Sequence, residues 1–123
     1  MTESLGSNQR IRKHGVFQTL FKQGRFVRGE FLRIWVCEDL EGKGGPAAKP
    51  QLGIIVSRKT DTRAVKRNLW KRRIRESFRK NQAKVKNNTA ILIQAAKSPA
   101  NMPSYQAIQT ELFELMAKAG CLK

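Results

Sequence analysis

The sequence is poor in the residues from which protein active sites are usually built. Its 123 residues include one histidine, two cysteines and nine acidic residues. Proton transfer by side chains relies most often on histidine, and His14 has no histidine partner. Metal-assisted hydrolysis needs carboxylates that converge on divalent ions, and the one acidic cluster, at 38–41, borders a Gly-rich stretch. We therefore expect no catalytic residue, no metal site and no bound cofactor in this chain.

The cysteines and the lack of long apolar runs restrict the cellular setting. Cys37 and Cys121 have no further Cys or His at zinc-ligand spacing, so we expect two thiols in a reducing compartment. The N-terminus has no apolar signal core, and no run approaches the roughly 18 apolar residues of a membrane span. The sequence therefore predicts a soluble, cytoplasmic protein.

Positive charge is what the sequence has in excess. It contains 25 Lys and Arg residues against the nine acids, a formal net charge of +16. Such an imbalance destabilises a compact chain by self-repulsion unless a polyanion neutralises it. Nucleic acid is the first candidate partner, and an anionic membrane surface is the second. The hydrophobic fraction of 40% is typical of a globular protein, and the length favours one domain.

Hydrophobic periodicity predicts an α/β protein. The predicted elements are a helix over 14–23, strands over 31–37 and 52–57, a helix over 64–80, a strand over 89–94 and a helix over 104–119, with a further short strand at 26–27 left open. The order α-β-β-α-β-α predicts a small α/β sandwich. We expect residues 1–10 to be a flexible tail, residues 11–123 to be one domain, and residues 40–50 to be an exposed loop.

The most basic segment is residues 63–80, RAVKRNLWKRRIRESFRK, in which nine of eighteen residues are Lys or Arg. Trp70, Ile74 and Phe78 recur every four residues and form a stripe that can pack on the sheet. Asp61 or Thr62 is the expected N-cap. Arginine outnumbers lysine six to three, which suits phosphate recognition better than mere solubility. A solvated cationic face is the plainer alternative.

Four segments together resemble the bacterial ribonuclease P protein component. KRNLWKRRIRESFR, at 66–79, resembles the "Arg-Asn-Arg" signature helix of that family, with Leu69 where the second Arg usually stands. GIIVSRK at 53–59, VFQTLFKQG at 16–24 and AILIQAAK at 90–97 resemble its other motifs in the same order. The residues that match the signature are Ala64, Arg67, Asn68, Lys71, Arg72, Arg75, Glu76 and Phe78.

The resemblance implies a function as well as a fold. It implies an α/β sandwich with a left-handed β-α-β crossover, contrary to the usual hand. It also implies a subunit of the ribonuclease P endoribonuclease, which removes the 5′ leader of precursor tRNA with catalysis by an RNA subunit that requires magnesium. The implied partners are that RNA and the precursor tRNA, with no membrane and no DNA.

The resemblance further implies two RNA-binding surfaces. One is the basic helix, which would face the catalytic RNA; its candidate residues are Arg63, Lys66, Arg67, Asn68, Lys71, Arg72, Arg75 and Arg79. The other is a cleft between the first helix and the sheet that would hold the single-stranded leader. Phe17 and Phe21 match the aromatic residues of that cleft, and the predicted strands and loops add Arg33, Trp35, Arg58, Lys59 and Lys97.

Other interpretations stay open at this point. Phe17, Phe21 and Trp35 are also explained by packing in the core. The charge alone is equally consistent with a ribosomal or other structural RNA-binding protein that has no role in processing. A membrane-surface protein would need a broad apolar helix face opposite its cations, and the stripe of Trp70, Ile74 and Phe78 is narrow.

Overall fold

The computed structural model describes residues 14–38, 50–86, 89–96 and 103–123, with side chains from residue 18 onward. The elements are α1 (His14–Gln23), β1 (Arg25–Arg28), β2 (Leu32–Glu38), β3 (Gln51–Ile55), α2 (Ala64–Asn81), a 3₁₀ turn (Gln82–Lys84), β4 (Thr89–Ala95) and α3 (Tyr105–Lys118). This confirms the predicted α/β fold, and β1 is the short strand that the sequence left open. The predicted tail at 1–10 and most of the loop at 40–50 lie outside the described residues.

The four strands form one mixed sheet in the order β1-β2-β4-β3. β2 pairs with β1 and with β4 in antiparallel fashion, while β3 and β4 are parallel neighbours. Parallel neighbours need a crossover connection, and here α2 provides it between β3 and β4. The left-handed sense of this crossover stays a prediction.

One face of the sheet carries the main core. The alternation in β2 places Leu32, Ile34 and Val36 on this face, all buried, as the sequence predicted. Helices α2 and α3 cover it, and the stripe of Trp70, Ile74 and Phe78 is completely buried there. The apolar side chains that α2 buries therefore attach the most basic segment of the chain to the sheet.

The opposite face is covered less completely. Leu20 of α1 packs on Ala90 and Leu92 of β4, with Trp35 and Ile55 partly buried beside them. Among the described residues, α1 is the only helix on this face, and Phe26 of β1 is half exposed there.

Helix α3 begins and ends as its sequence predicts. Ser104 is the N-cap, and its Oγ accepts a hydrogen bond from the backbone N–H of Ala107 at 3.1 Å. Gly120 follows the last turn with φ +74°, a conformation that favours glycine. The predicted cap of α2 is wrong: its N-cap is Arg63, in extended conformation and without a side-chain cap.

Glu111 of α3 holds the turn between β1 and β2. Its Oε1 accepts the backbone N–H of Glu30 at 2.7 Å, and its Oε2 accepts those of Phe31 at 2.8 Å and Leu32 at 2.7 Å. A Cβ on Gly29 would lie 2.6 Å from the Glu111 carboxyl carbon, so a larger residue here would push the carboxylate away from these three N–H groups. The carboxylate thus fixes the β1–β2 pairing from a helix 80 residues away.

We predict that Glu111→Gln lowers the free energy of unfolding by about 1–3 kcal/mol, because the amide turns donors toward backbone N–H groups that need acceptors. Urea denaturation followed by circular dichroism measures the change. Glu114→Gln, on an exposed position of the same helix, is the control. A loss no larger than that of the control would contradict the proposed role of Glu111.

Candidate RNA-binding surfaces

Three aromatic rings meet on the open face of the sheet. The rings of Phe21 and Trp35 contact edge to face with centroids 4.7 Å apart, and those of Phe26 and Trp35 are tilted at 5.0 Å. Phe21 is 43% exposed and Phe26 is 50% exposed. We call Phe21, Phe26 and Trp35 the aromatic cluster. Large apolar rings held open to solvent are platforms on which unpaired bases can stack.

Two arginines lie beside the aromatic cluster. Arg28 of β1 and Arg33 of β2 are direct cross-strand partners, and both are exposed. They lie two residues along the strands from the Phe26–Trp35 pair and therefore on the same face of the sheet. Like charges directly opposite each other destabilise a sheet. Within the described ranges no carboxylate forms an ion pair with either of them. An anion bound between the two guanidinium groups would relieve their repulsion.

Strand register places further predicted cleft residues near this arginine pair. Arg33 is opposite Gln94 of β4, which is opposite Ile55 of β3. The chain leaves β3 at this end of the sheet and continues to Arg58 and Lys59, which are exposed in the following turn. The side chain of Phe17 and all of Lys97 lie outside the described residues.

Sequence reasoning missed Phe26 and Arg28. Both lie in β1, a four-residue strand too short to show alternation clearly. Their position next to Trp35 and Arg33 depends on the register between β1 and β2, which the Glu111-bound turn sets. The sequence signalled this pair only by an aromatic residue and an arginine two positions apart in RFVR, at 25–28.

The cationic side chains in and just before α2 have two roles: some face water, and others form hydrogen bonds within the protein. The outer face of α2, as we call it, consists of Asn68, Lys71, Arg72, Arg75 and Arg79, whose spacing of three and four residues puts them on one side of the helix. Asn68 and Arg72 are exposed, and the other three are partly exposed. The Arg79 guanidinium pairs with Glu76 at 3.0 Å and holds the pKa of that carboxyl below its usual value.

Two predicted RNA-binding arginines also stabilise the loop before α2. Arg63 donates its backbone N–H, Nε and Nη2 to the buried carboxylate of Asp61, each at 3.0 Å. Arg67 donates Nη1 to the carbonyls of Asp61 at 3.1 Å and Thr62 at 2.9 Å. Thr60 ties the loop to β4 by donating Oγ1 to the Ala95 carbonyl at 3.0 Å. A guanidinium has five donors, so both arginines keep donors for a ligand, while Lys66 beside them is partly exposed.

We predict that Asp61 contributes stability that acid removes. The hydrogen bonds from Arg63 lower the pKa of the Asp61 carboxyl. Because the pKa of Asp61 is lower in the folded than in the unfolded protein, its contribution to stability is present above the unfolded pKa, about 3.9. The contribution is lost as the pH falls through the lower pKa of the folded protein. Asp61→Asn should therefore flatten the fall in melting temperature below about pH 4. Glu114→Gln is the control. If the melting temperature of Asp61→Asn falls below about pH 4 as steeply as that of the wild type, the prediction is contradicted.

The described residues offer little chemistry of their own. Among them, no three or more His, Cys, Asp and Glu side chains come together as a metal site. The Cys121 thiol is buried in the core, and burial raises its pKa to about 11, so it stays protonated at neutral pH. Within the same part of the chain, no helix has the length and apolar content to cross a bilayer.

Comparison with known proteins identifies the family of the chain. A family model described as Ribonuclease P matches residues 5–120. The chain belongs to the ribonuclease P protein family. A "Ribonuclease P protein component" from Picosynechococcus sp. is 33% identical over 115 residues, which is 94% of this chain and 93% of that protein. One from Pseudanabaena sp. is 29% identical over 118 residues, or 96% and 97% of the two chains.

Solved structures of ribonuclease P proteins have the same fold. The RNase P protein of Staphylococcus aureus superposes with a TM-score of 0.78 at 30% identity, covering 94% of this chain and 98% of that one. The protein from Thermotoga maritima superposes with a TM-score of 0.72 at 24% identity, covering 89% and 96%. The family assignment thus extends over nearly the whole chain, including both surfaces described above.

Proposed function

We propose that this chain is the protein subunit of a ribonuclease P ribonucleoprotein, which removes the 5′ leader of precursor tRNA. In this proposal the RNA subunit carries out catalysis with magnesium, and the protein supplies binding surfaces. The observation that carries the proposal is the presence of two different surfaces in one family member: a cationic helix face, and an aromatic cluster beside two arginines that form no ion pair with a described carboxylate. A purely charged surface would serve many RNA-binding roles, whereas exposed aromatic rings suit the unpaired bases of a single strand.

The outer face of α2 is assigned to the RNA subunit. Its arginines and lysine match phosphate groups, and Asn68 can both donate and accept hydrogen bonds. Arg63, Lys66 and Arg67 extend the same surface around the start of α2, where the helix dipole also favours anions. The first turn of α2 contains no acidic residue, and the carboxylate of Asp61, just before the helix, binds only Arg63 of these three.

The aromatic cluster is assigned to the 5′ leader. Bases of a single strand would stack on Phe21, Phe26 and Trp35, while Arg28 and Arg33 contact the backbone phosphates next to them. Arg58 and Lys59 extend the positive charge beyond the end of β3. A ribosomal or other structural RNA-binding protein has no need for such a platform next to its cationic helix.

Reconstitution tests the proposal directly. The protein is added to a bacterial ribonuclease P RNA and 5′-labelled precursor tRNA at a magnesium concentration where the RNA alone is slow, with polylysine as the control polycation. We expect accelerated release of the leader at the mature 5′ end with this protein only. No acceleration, or equal acceleration by polylysine, would overturn the proposal.

We predict that Phe21→Ala weakens binding of precursor tRNA with a long leader by about 5- to 150-fold, since stacking on an aromatic ring contributes about 1–3 kcal/mol per base. Binding of mature tRNA to the same holoenzyme should change little, because it has no leader. Filter binding with the two substrates measures the ratio. Equal weakening of both would show that Phe21 does not contact the leader.

We predict that Arg75→Ala weakens binding to the ribonuclease P RNA and makes the slope of log affinity against log salt shallower by about one, because one phosphate contact is lost. The melting temperature of the free protein should stay near that of the wild type, since Arg75 points away from the core. Lys118→Gln, an exposed cation at the end of α3, is the matched control. A slope change no larger than that of the control would show that Arg75 does not contact the RNA.

A further inference from the structure

Strand β1 carries part of the surface assigned to the leader, yet little in the strand itself fixes where it lies. It is four residues long, and among the described strands it pairs only with β2. An ion pair joins Arg25 at its start to Glu38 of β2 at 3.3 Å, but both side chains are about half exposed. Exposed ion pairs of this kind contribute little stability.

The register of β1 on β2 decides which of its side chains reach the leader. In the observed register Val27 is opposite Ile34 and packs against the main core, while Phe26 and Arg28 lie on the other face. A slip of one residue would turn Val27 toward the leader, and Phe26 and Arg28 toward the core. Since Val27 is the only side chain of β1 that is not exposed, burial alone specifies this register weakly.

The carboxylate of Glu111 supplies the constraint that β1 lacks. It accepts the backbone N–H groups of Glu30, Phe31 and Leu32 at 2.7–2.8 Å, and the N–H of Gly29 closes the turn by donating to the Leu32 carbonyl at 2.8 Å. Hydrogen bonds to an ionised acceptor are stronger than those between neutral groups. We call the three bonds to the carboxylate the Glu111 clamp. A slip of the turn by one residue would break them.

We propose that Glu111 is a positioning residue for the 5′ leader, because the Glu111 clamp keeps Phe26 and Arg28 beside Trp35 and Arg33. Glu111 belongs to α3, which covers the opposite face of the sheet, so it acts through the turn and not by contact with the leader. The inference rests on the proposed function, which assigns the aromatic cluster to the leader. Since α3 also packs against α2, one helix links the cationic helix to the strand that carries Phe26.

Two substitutions disturb the Glu111 clamp in different ways. Glu111→Gln keeps the shape of the side chain and replaces an acceptor by a donor, whereas Gly29→Ala keeps the carboxylate and places a Cβ 2.6 Å from its carbon. We expect each to weaken binding of precursor tRNA with a long leader to the holoenzyme by about 5- to 150-fold, the effect of losing one stacked base. Binding of mature tRNA should change little. Glu114→Gln, an exposed position of the same helix, is the control.

The ratio of the affinities for long-leader precursor and mature tRNA separates positioning from stability. It is measured at a temperature at which circular dichroism shows each variant to be folded. A residue that only stabilises the fold would lower the melting temperature and leave this ratio at the wild-type value, which overturns the proposal. If Phe21→Ala lowers the ratio and the clamp variants do not, only the role of Glu111 is wrong. If none of them does and the protein fails to accelerate leader release, the proposed function fails as well.

Hydrogen exchange in the unmodified holoenzyme tests the same coupling without a variant that might fail to fold. Coupling between two equilibria is reciprocal, so a leader that binds only the clamped turn must also stabilise the clamp. We expect the backbone N–H groups of Glu30, Phe31 and Leu32 to exchange more slowly with long-leader precursor tRNA than with mature tRNA, by a factor similar to the loss of affinity in the variants. Equal exchange in the two complexes overturns the proposal.

Discussion

Burial of the apolar stripe of α2 against the sheet keeps the cationic helix folded and attached to the core. Trp70, Ile74 and Phe78 are completely buried, and burial of a large apolar side chain contributes about 1.5–3 kcal/mol. Like charges three or four residues apart on a helix oppose this by only roughly 0.2–0.5 kcal/mol per pair. Packing therefore wins over repulsion, and a helix with one acidic residue stays folded with its cations turned to solvent.

The sheet divides the molecule into two unlike surfaces. The face under α2 and α3 holds the core, and its outside is the cationic helix. The other face is only partly covered by α1, so the aromatic cluster and the pair of Arg28 and Arg33 remain accessible. Because β3 continues directly into the loop held by Asp61 and Thr60, the two surfaces meet around one end of the sheet. One domain thus presents two surfaces of different chemistry, as the proposed binding of two RNA segments requires.

Local signals predicted most of this fold. The alternation in β2, the Ser104 cap and Gly120 of α3, and the four-residue spacing in α2 each depend only on neighbours in the sequence. The features that were missed depend on tertiary contacts. Phe26 and Arg28 join the candidate cleft only through the β1–β2 register, and the carboxylate of Asp61 binds Arg63 instead of capping α2.

We propose that RNA phosphates supply the negative charge that this chain lacks. The most direct test is the affinity of the protein for ribonuclease P RNA as a function of salt. If about 6–10 phosphates are neutralised, affinity should fall by ~10³–10⁵ between 50 and 200 mM salt. An affinity that hardly changes over that range would contradict the account.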